Sequence, residues 1–344
     1  MFRSLRFKII VFLIIANGLS FIGMSVISYE ISSKRMNAQL ENQSMIDLSN
    51  TVTNLNTMLS LRLHEAEVLT ESEDIRSGTR QVQLSSLKYH ISRSGLQYKY
   101  FGIAERNGAL QLAEGRDTQV GHLPAFHQAL LGISSISDPV LDEAGNPIVW
   151  LFVPLFDLGS SDWRITEVAA LAVDSYSLFH PILSVKSDDY ADSAITLIDR
   201  EMNLLHYSSD PELILKRNYV RDEPSTASFA EQIRTTEQGN GDVYLFGRVL
   251  KLFYVKVTGH DWYAVFTVSK QEFEAPLRNV LWNNMTFIGA AEIVLGVFLY
   301  LFTSKFILKR LKQVAGATQQ VASGDFYTPP IPTGSKDELG LLAD

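Results

Sequence analysis

The sequence predicts an α+β protein in which a long N-terminal helix leads into two antiparallel-sheet modules in series, with a membrane-spanning helix on either side of them. Three observations carry this. Apolar runs at 9–29 and 284–306 are each long enough, at about 1.5 Å per residue, to cross a hydrocarbon core of roughly 30 Å. Between 30 and 70 there is neither proline nor glycine, and Leu48, Val52, Leu55, Leu59 and Leu63 recur at helical spacing. From 93 to 278, short apolar segments with strand-like alternation are punctuated by Gly, Asn and Pro turns in two successive rounds, each with one short helix.

The totals narrow the class. With 344 residues, 46% of them hydrophobic, the chain has room for two or three domains and an ample core. A net charge of -8 speaks against a nucleic-acid partner. The absence of cysteine excludes disulfides and thiolate metal sites.

Arg3, Arg6 and Lys8 precede the first apolar run, which sets residues 1–8 on the cytoplasmic side. The run 9–29 is longer than a signal-peptide core, and Ser28-Tyr29-Glu30 is a poor cleavage site, which favours an uncleaved anchor. Residues 30–283 then lie outside. Lys305, Lys309, Arg310 and Lys312 follow the second run and return the chain to the cytoplasm. Within 30–92 the helical rhythm is broken around Gly78 and resumes from Leu84. Its stripe reads as a packing face against a partner helix and the domain behind it.

In a first module, 93–185, the strand 98–104 and the strand 109–113 flank Glu105-Arg106-Asn107-Gly108, a hairpin turn signal. A short helix over 124–131 is closed by Gly132. A strand 135–141, a turn 143–147 and two central strands, 148–156 and 167–173, complete the module. A second module, 186–278, repeats this with strands at 193–198 and 204–207, a helix 229–235, a turn at Gly239-Asn240-Gly241, and strands 242–246, 250–257 and 262–268.

Past the second span, Ile307, Leu311, Val314, Thr318 and Val321 step by four and three, the seam of a coiled coil. Gly324-Asp325-Phe326 ends that helix, prolines follow, and Asp337-Glu338-Leu339-Gly340 opens another. This order resembles a HAMP linker, the parallel four-helix relay of bacterial transmembrane receptors, here partial over 307–344. No proline stands beside Lys309-Arg310-Leu311, where such first helices often carry one.

Ahead of it, the long helix, Ile136-Ser137-Asp138-Pro139, Val149-Trp150-Leu151-Phe152-Val153-Pro154, Leu197-Ile198-Asp199-Arg200 and Gly259-His260-Asp261-Trp262 occur in an order that resembles the double Cache sensor of bacterial chemoreceptors and sensor enzymes. The resemblance implies PAS-like modules, a parallel homodimer, and a small-molecule site in the membrane-distal module, 93–185. It also implies that the chain is the input half of a methyl-accepting chemotaxis protein. A sensor histidine kinase or a diguanylate cyclase would use the same front half. Cytoplasmic signalling proteins are then reached through an output domain beyond residue 344.

Members that bind amino acids do so through Arg-x-Trp-Tyr-x-x-Ala; the matching stretch is 123–129, where Phe126 and Ala129 fit but Leu123 and Ala125 replace the arginine and tryptophan. An amino-acid ligand loses its bidentate carboxylate partner and is disfavoured. Asp174 matches the family's amine-binding aspartate in kind and place. The expected ligand site joins Tyr98, Tyr100, Phe126, His127, Trp150 and Asp174, an aromatic box with one acid suited to a small organic molecule or cation. Most of these, and the neighbouring His122, have a plainer reading. Trp150 and Phe126 suit a core, Tyr98 and Tyr100 a shared sheet face at a dimer contact, Asp174 a cap on a helix starting at Ser175, and His122 a polar surface. Glu292, inside the second span, is expected to be neutral and to pack across the bundle against Asn17, Ser20 or its own copy, unless water reaches it through a local defect.

No catalytic constellation, metal cluster or cofactor motif emerges, so no enzyme activity and no cofactor are expected of this chain. An outer region that binds no small molecule and docks a periplasmic binding protein is the alternative of another class. It expects an exposed apolar patch on the first module.

Overall fold

The computed structural model describes residues 5–156, 165–184, 190–245 and 247–324. The described residues within 39–273 form one compact unit, and those within 1–38 and 274–324 form another.

In the larger unit, helix α1 (Leu5–Leu69) ends at Thr70, whose hydroxyl turns back onto the Ala66 and Glu67 carbonyls. Two shorter helices follow, α2 (Glu73–Ser77) and α3 (Arg80–Ser94). Gly78 separates them for a steric reason: a Cβ there would stand 2.3 Å from the Asp74 carbonyl oxygen.

The first sheet contains β1 (Tyr100–Glu105), β2 (Ala109–Leu112), β3 (Asp117–Gln119), β4 (Ser135–Ile136), β5 (Val140–Leu141), β6 (Pro147–Phe156) and β7 (Ile165–Asp174), with α4 (Pro124–Leu130) crossing it. Its order is β3-β2-β1-β7-β6-β4, with β5 also on β6, and all pairs are antiparallel. The predicted strand 135–141 is two pieces. Between them the Ser137 hydroxyl accepts the Trp150 N–H at 2.9 Å and Pro139 has no N–H to offer the ladder.

Helix α5 (Ser175–Leu183) leads to the second sheet, made of β8 (Ser193–Asp199), β9 (Leu204–Tyr207), β10 (Gln238–Leu245), β11 (Arg248–Lys256) and β12 (Trp262–Ser269), with α6 (Tyr219–Asp222) and α7 (Ala227–Thr235) between β9 and β10. Its order, β10-β11-β12-β8-β9, retraces the path of the first. Here the sequence reading is corrected: Gly239-Asn240-Gly241 is strand, not turn. Gly239 pairs directly with Tyr254, and a Cβ on it would meet the phenol oxygen at 2.6 Å, so the glycine makes room for a ring rather than for a bend.

Why the central strands are apolar at every position follows from burial on both faces. Along β6, Ile148, Trp150 and Phe152 join Phe126 and Ala129 of α4 in one cluster. Val149, Leu151 and Val153 join Leu48, Val52, Leu55 and Leu59 of α1 in another, which continues through Phe253, Trp262 and Ala264 of the second sheet. The predicted helical stripe is therefore a packing face on both sheets. A third cluster lies between the second sheet and α7.

Two sequence stretches that carried the family resemblance also meet: Trp262 donates its indole N–H to Asp138 at 2.5 Å, and His260 stacks on Trp262 with centroids 4.0 Å apart.

In the smaller unit, α8 (Lys270–Phe273), the last element of the larger one, is followed by α9 (Ala275–Phe302), a π-helical stretch (Thr303–Leu308) and α10 (Lys309–Ala322). Both α1 and the α8–α9 segment contain stretches long and apolar enough to cross a membrane. Among the coiled-coil seam residues, the side chains of Ile307, Leu311, Val314 and Val321 lie outside the described residues, as do Asp325, Phe326 and 337–340. Glu292 packs against Gly18, where a Cβ would stand 2.6 Å from its Oε1, while the Asn17 amide donates to the Leu13 carbonyl of its own helix.

Candidate functional site

Antiparallel register places Tyr100 and Trp150 on either side of Ala172 in one row across the first sheet. On this face Ala104, Ala170 and Ala172 keep the floor low between two large rings. The result is a cleft of about 190 Å³, closed above by 116–123 and by the β5–β6 turn.

Asp142 opens that turn. Its Oδ1 accepts the N–H groups of Ala144 and Asn146 at 2.9 and 2.8 Å, while Oδ2 accepts the Tyr100 hydroxyl at 3.0 Å and the Lys99 ammonium at 2.9 Å. Burial pushes this carboxyl up, but the Asn146 N–H, the ammonium and the hydroxyl together hold it down at about 2. It is charged at any physiological pH. The Arg116 guanidinium stands 5.6 Å from the Tyr100 ring centre and within 3.5 Å of Glu143. His122 is exposed at the rim, and Leu123 lines the wall where the amino-acid-binding pattern has arginine.

Of the six residues expected to form the ligand site, the structure brings Tyr100 and Trp150 to the cleft. Phe126 is fully buried, edge-on to Phe152 at 5.7 Å. His127 is exposed on α4. Asp174 caps α5, accepting the Ser177 N–H at 2.8 Å. Tyr98 lies on the other side of the sheet from Tyr100, among the residues packed with α1, because β1 begins only at Tyr100 and the period of two does not extend back to 98. Burial first, then the Glu65 charge, pushes the Tyr98 phenol up to about 12, with Arg62 opposing.

Asp142, Arg116 and Lys99 were not among the expected residues. Asp142 reads locally as a turn opener before Gly145, and its pairing with Lys99 crosses 43 positions. The one local signal is a lysine between two tyrosines at 98–100. Tyr100, Trp150 and Arg116 can hold a flat or apolar body against two rings and meet a polar end with a guanidinium, while Asp142, its side chain 4% exposed and its oxygens taken by Lys99, Tyr100 and the turn, fixes the Tyr100 ring and the wall of the cleft. Among the described residues no His, Asp and Glu group suits a metal ion.

Residues 302–344 match the HAMP domain family. The fold is similar to that of several solved sensor domains. The ligand-binding domain of the Pseudomonas aeruginosa PAO1 amino acid chemoreceptor PctB, in complex with L-Arg, superposes with a TM-score of 0.54 at 16% identity, over 69% of this chain and 98% of that one. The ligand-binding domain of Mlp24 with asparagine gives 0.52 at 13% identity, over 72% and 99%. The extracellular domain described as that of a histidine kinase, mmHK1S-Z2, gives 0.52 at 14%, over 69% and 100%. No curated protein matches by sequence. The chain thus joins the fold of bacterial sensor domains to two apolar helices of membrane-crossing length and a HAMP segment.

Proposed function

We propose that this chain is the sensing and transmembrane part of a signalling receptor of the inner membrane, with 30–283 outside, which binds a small organic molecule in the cleft of its first, membrane-distal module. The observation that carries the reading is the Tyr100–Trp150 cleft with its ionised Asp142, set in a fold shared with chemoreceptor ligand-binding domains and followed by HAMP. Occupancy alters packing on α1 or on the exit helix of a homodimer, and HAMP passes a shift of one or two ångströms to a cytoplasmic output. Chemotaxis is the favoured output; a histidine kinase or a diguanylate cyclase is the alternative.

The test is a thermal-shift screen of the full chain in lipid nanodiscs against amines, organic acids, amino acids and purines. A ligand raises the melting temperature with concentration. Trp150→Ala and Asp142→Asn abolish that response if this cleft is the site. Asp174→Ala leaves it intact if Asp174 acts only as a cap. A second reading has its own support: Leu131 and Ile133 on the first module are 79% and 59% exposed, an apolar surface for a binding protein. A screen without hits, together with capture of a periplasmic binding protein lost in Leu131→Glu, favours it.

A further inference from the structure

The two sheets follow the same strand path, and each holds a cleft at the same place in it. In the first module the cleft lies between β1, β2, the segment after β2 and the hairpin ending in β6. In the second it lies between β8, β9, the segment after β9 and the β10–β11 hairpin, with a volume of about 220 Å³. Only the chemistry differs. The second cleft is lined by Arg217, Arg248, Tyr207, Tyr219 and Thr196, with Asp192 as the one carboxylate among the described residues of its wall.

The backbone holds Arg217 in place. Its N–H reaches the Leu213 carbonyl at 3.2 Å, its own carbonyl accepts the Leu204 N–H at 3.0 Å, and Asn218 bridges to Asn203. Two residues earlier Leu215 sits at φ +60, a left-handed conformation that a leucine adopts only when its surroundings impose it, here with its N–H on the Leu204 carbonyl at 2.8 Å. The Arg217 side chain is 24% exposed, with Asp222 3.9 Å from its Nε. Arg248 is paired with Asp192 at the edge of the cleft. Burial first, with Arg217 opposing, pushes the Tyr219 phenol up to about 12, so its hydroxyl keeps its proton; it stands near Arg217 and Tyr207 and hydrogen-bonds with Thr196 in the cleft wall.

We propose that the second module carries a separate site for a small organic carboxylate, with Arg217 as the anchor and the Tyr207 and Tyr219 hydroxyls as donors to the same anion. A planar guanidinium with two phenol donors matches the acceptor geometry of a carboxylate, and the volume limits the ligand to a few carbons. The site is independent of the reading given to the first module. Carboxylate and amine or neutral ligands would then reach one receptor through different modules.

The test uses the full chain in lipid nanodiscs, titrated with acetate, lactate and succinate at constant ionic strength, with chloride and sulfate as controls. Expected is a saturable rise in melting temperature with at least one carboxylate. Arg217→Lys, which keeps the charge and loses the fork, weakens that response about tenfold or more. Tyr207→Phe weakens it several-fold, and Asp142→Asn in the first module leaves it unchanged. The proposal is overturned if no carboxylate acts up to about 50 mM, where a millimolar site is filled. It is equally overturned if chloride or sulfate acts as strongly, or if the response is lost in Asp142→Asn and kept in Arg217→Lys. Should Arg217→Lys fail to fold, Tyr207→Phe decides: a weakened response supports the site, an unchanged one removes it.

Discussion

Asp142 answers to groups from two stretches of chain: the Lys99 ammonium and the Tyr100 hydroxyl from one, and the N–H groups of its own turn from the other. Its folded pKa of about 2 lies below the ordinary 3.8. A depressed carboxyl contributes stability above its unfolded pKa and loses it as pH falls through the folded one. The melting-temperature gap between wild type and Asp142→Asn is therefore expected to be full at neutral pH and to narrow between about pH 4 and pH 2. A gap constant across that range would mean that Asp142 is not held as described. Trp150→Ala removes a ring that is 5% exposed and is expected to destabilise the first module by about 3–5 kcal/mol by chemical denaturation. Ligand response is thus better read from Trp150→Phe. The sequence marked Tyr100 and Trp150 by residue type and alternation, but Asp142 is made a site residue by a partner far away in the chain.

Among elements, the joint between α5 and β9 carries a titration of its own. His206 is fully buried against Tyr176, Phe179 and His180, with Ser208 on its Nε2 at 3.1 Å. Burial first, and the His180 charge second, push it down to about 4. The fold thus favours neutral imidazole, while the unfolded chain takes up the proton below the ordinary 6.5. Stability falls as pH drops from about 6.5 to 4, by up to about 3 kcal/mol, and is flat with respect to this group below that. His206→Phe is expected to flatten that slope in pH-dependent thermal melts. Gly239→Ala drives a Cβ onto the Tyr254 ring and is expected to cost about 1–3 kcal/mol by urea unfolding. The α1 stripe and the Asn107-Gly108 turn were legible because helix period and positive φ are local. Gly108 indeed sits at φ +85. The role of Gly239 was not legible, because a glycine that admits a neighbour's ring looks, in sequence, like one that turns the chain.

At the scale of the molecule, the larger unit has one core cluster that runs along α1 beneath both sheets. The Trp262 to Asp138 hydrogen bond crosses between the modules beside it. Asp138→Leu leaves the indole N–H without its acceptor at a buried ring, at an expected cost of about 1–3 kcal/mol. Because the core is shared, calorimetry of this variant is expected to show one transition at lower temperature; two separated transitions would mean that the modules are held together by that bond rather than by α1. Sequence order alone placed the two modules one after the other and gave their type. Their common core depends on which face of each strand meets the helix, which no single segment records.

Burial on both faces of β6, where eight consecutive residues from Ile148 to Leu155 are buried, reaches beyond stability. A strand with one wet face tolerates replacement at every second position. This one has no neutral position to offer, so a saturation-mutagenesis profile of the chain should show 148–155 as an unbroken block of intolerance. On the proposed reading of the cleft, a change in ligand preference would then have to come from the turn and loop residues around Arg116 and Asp142, while the strand that carries Trp150 stays still.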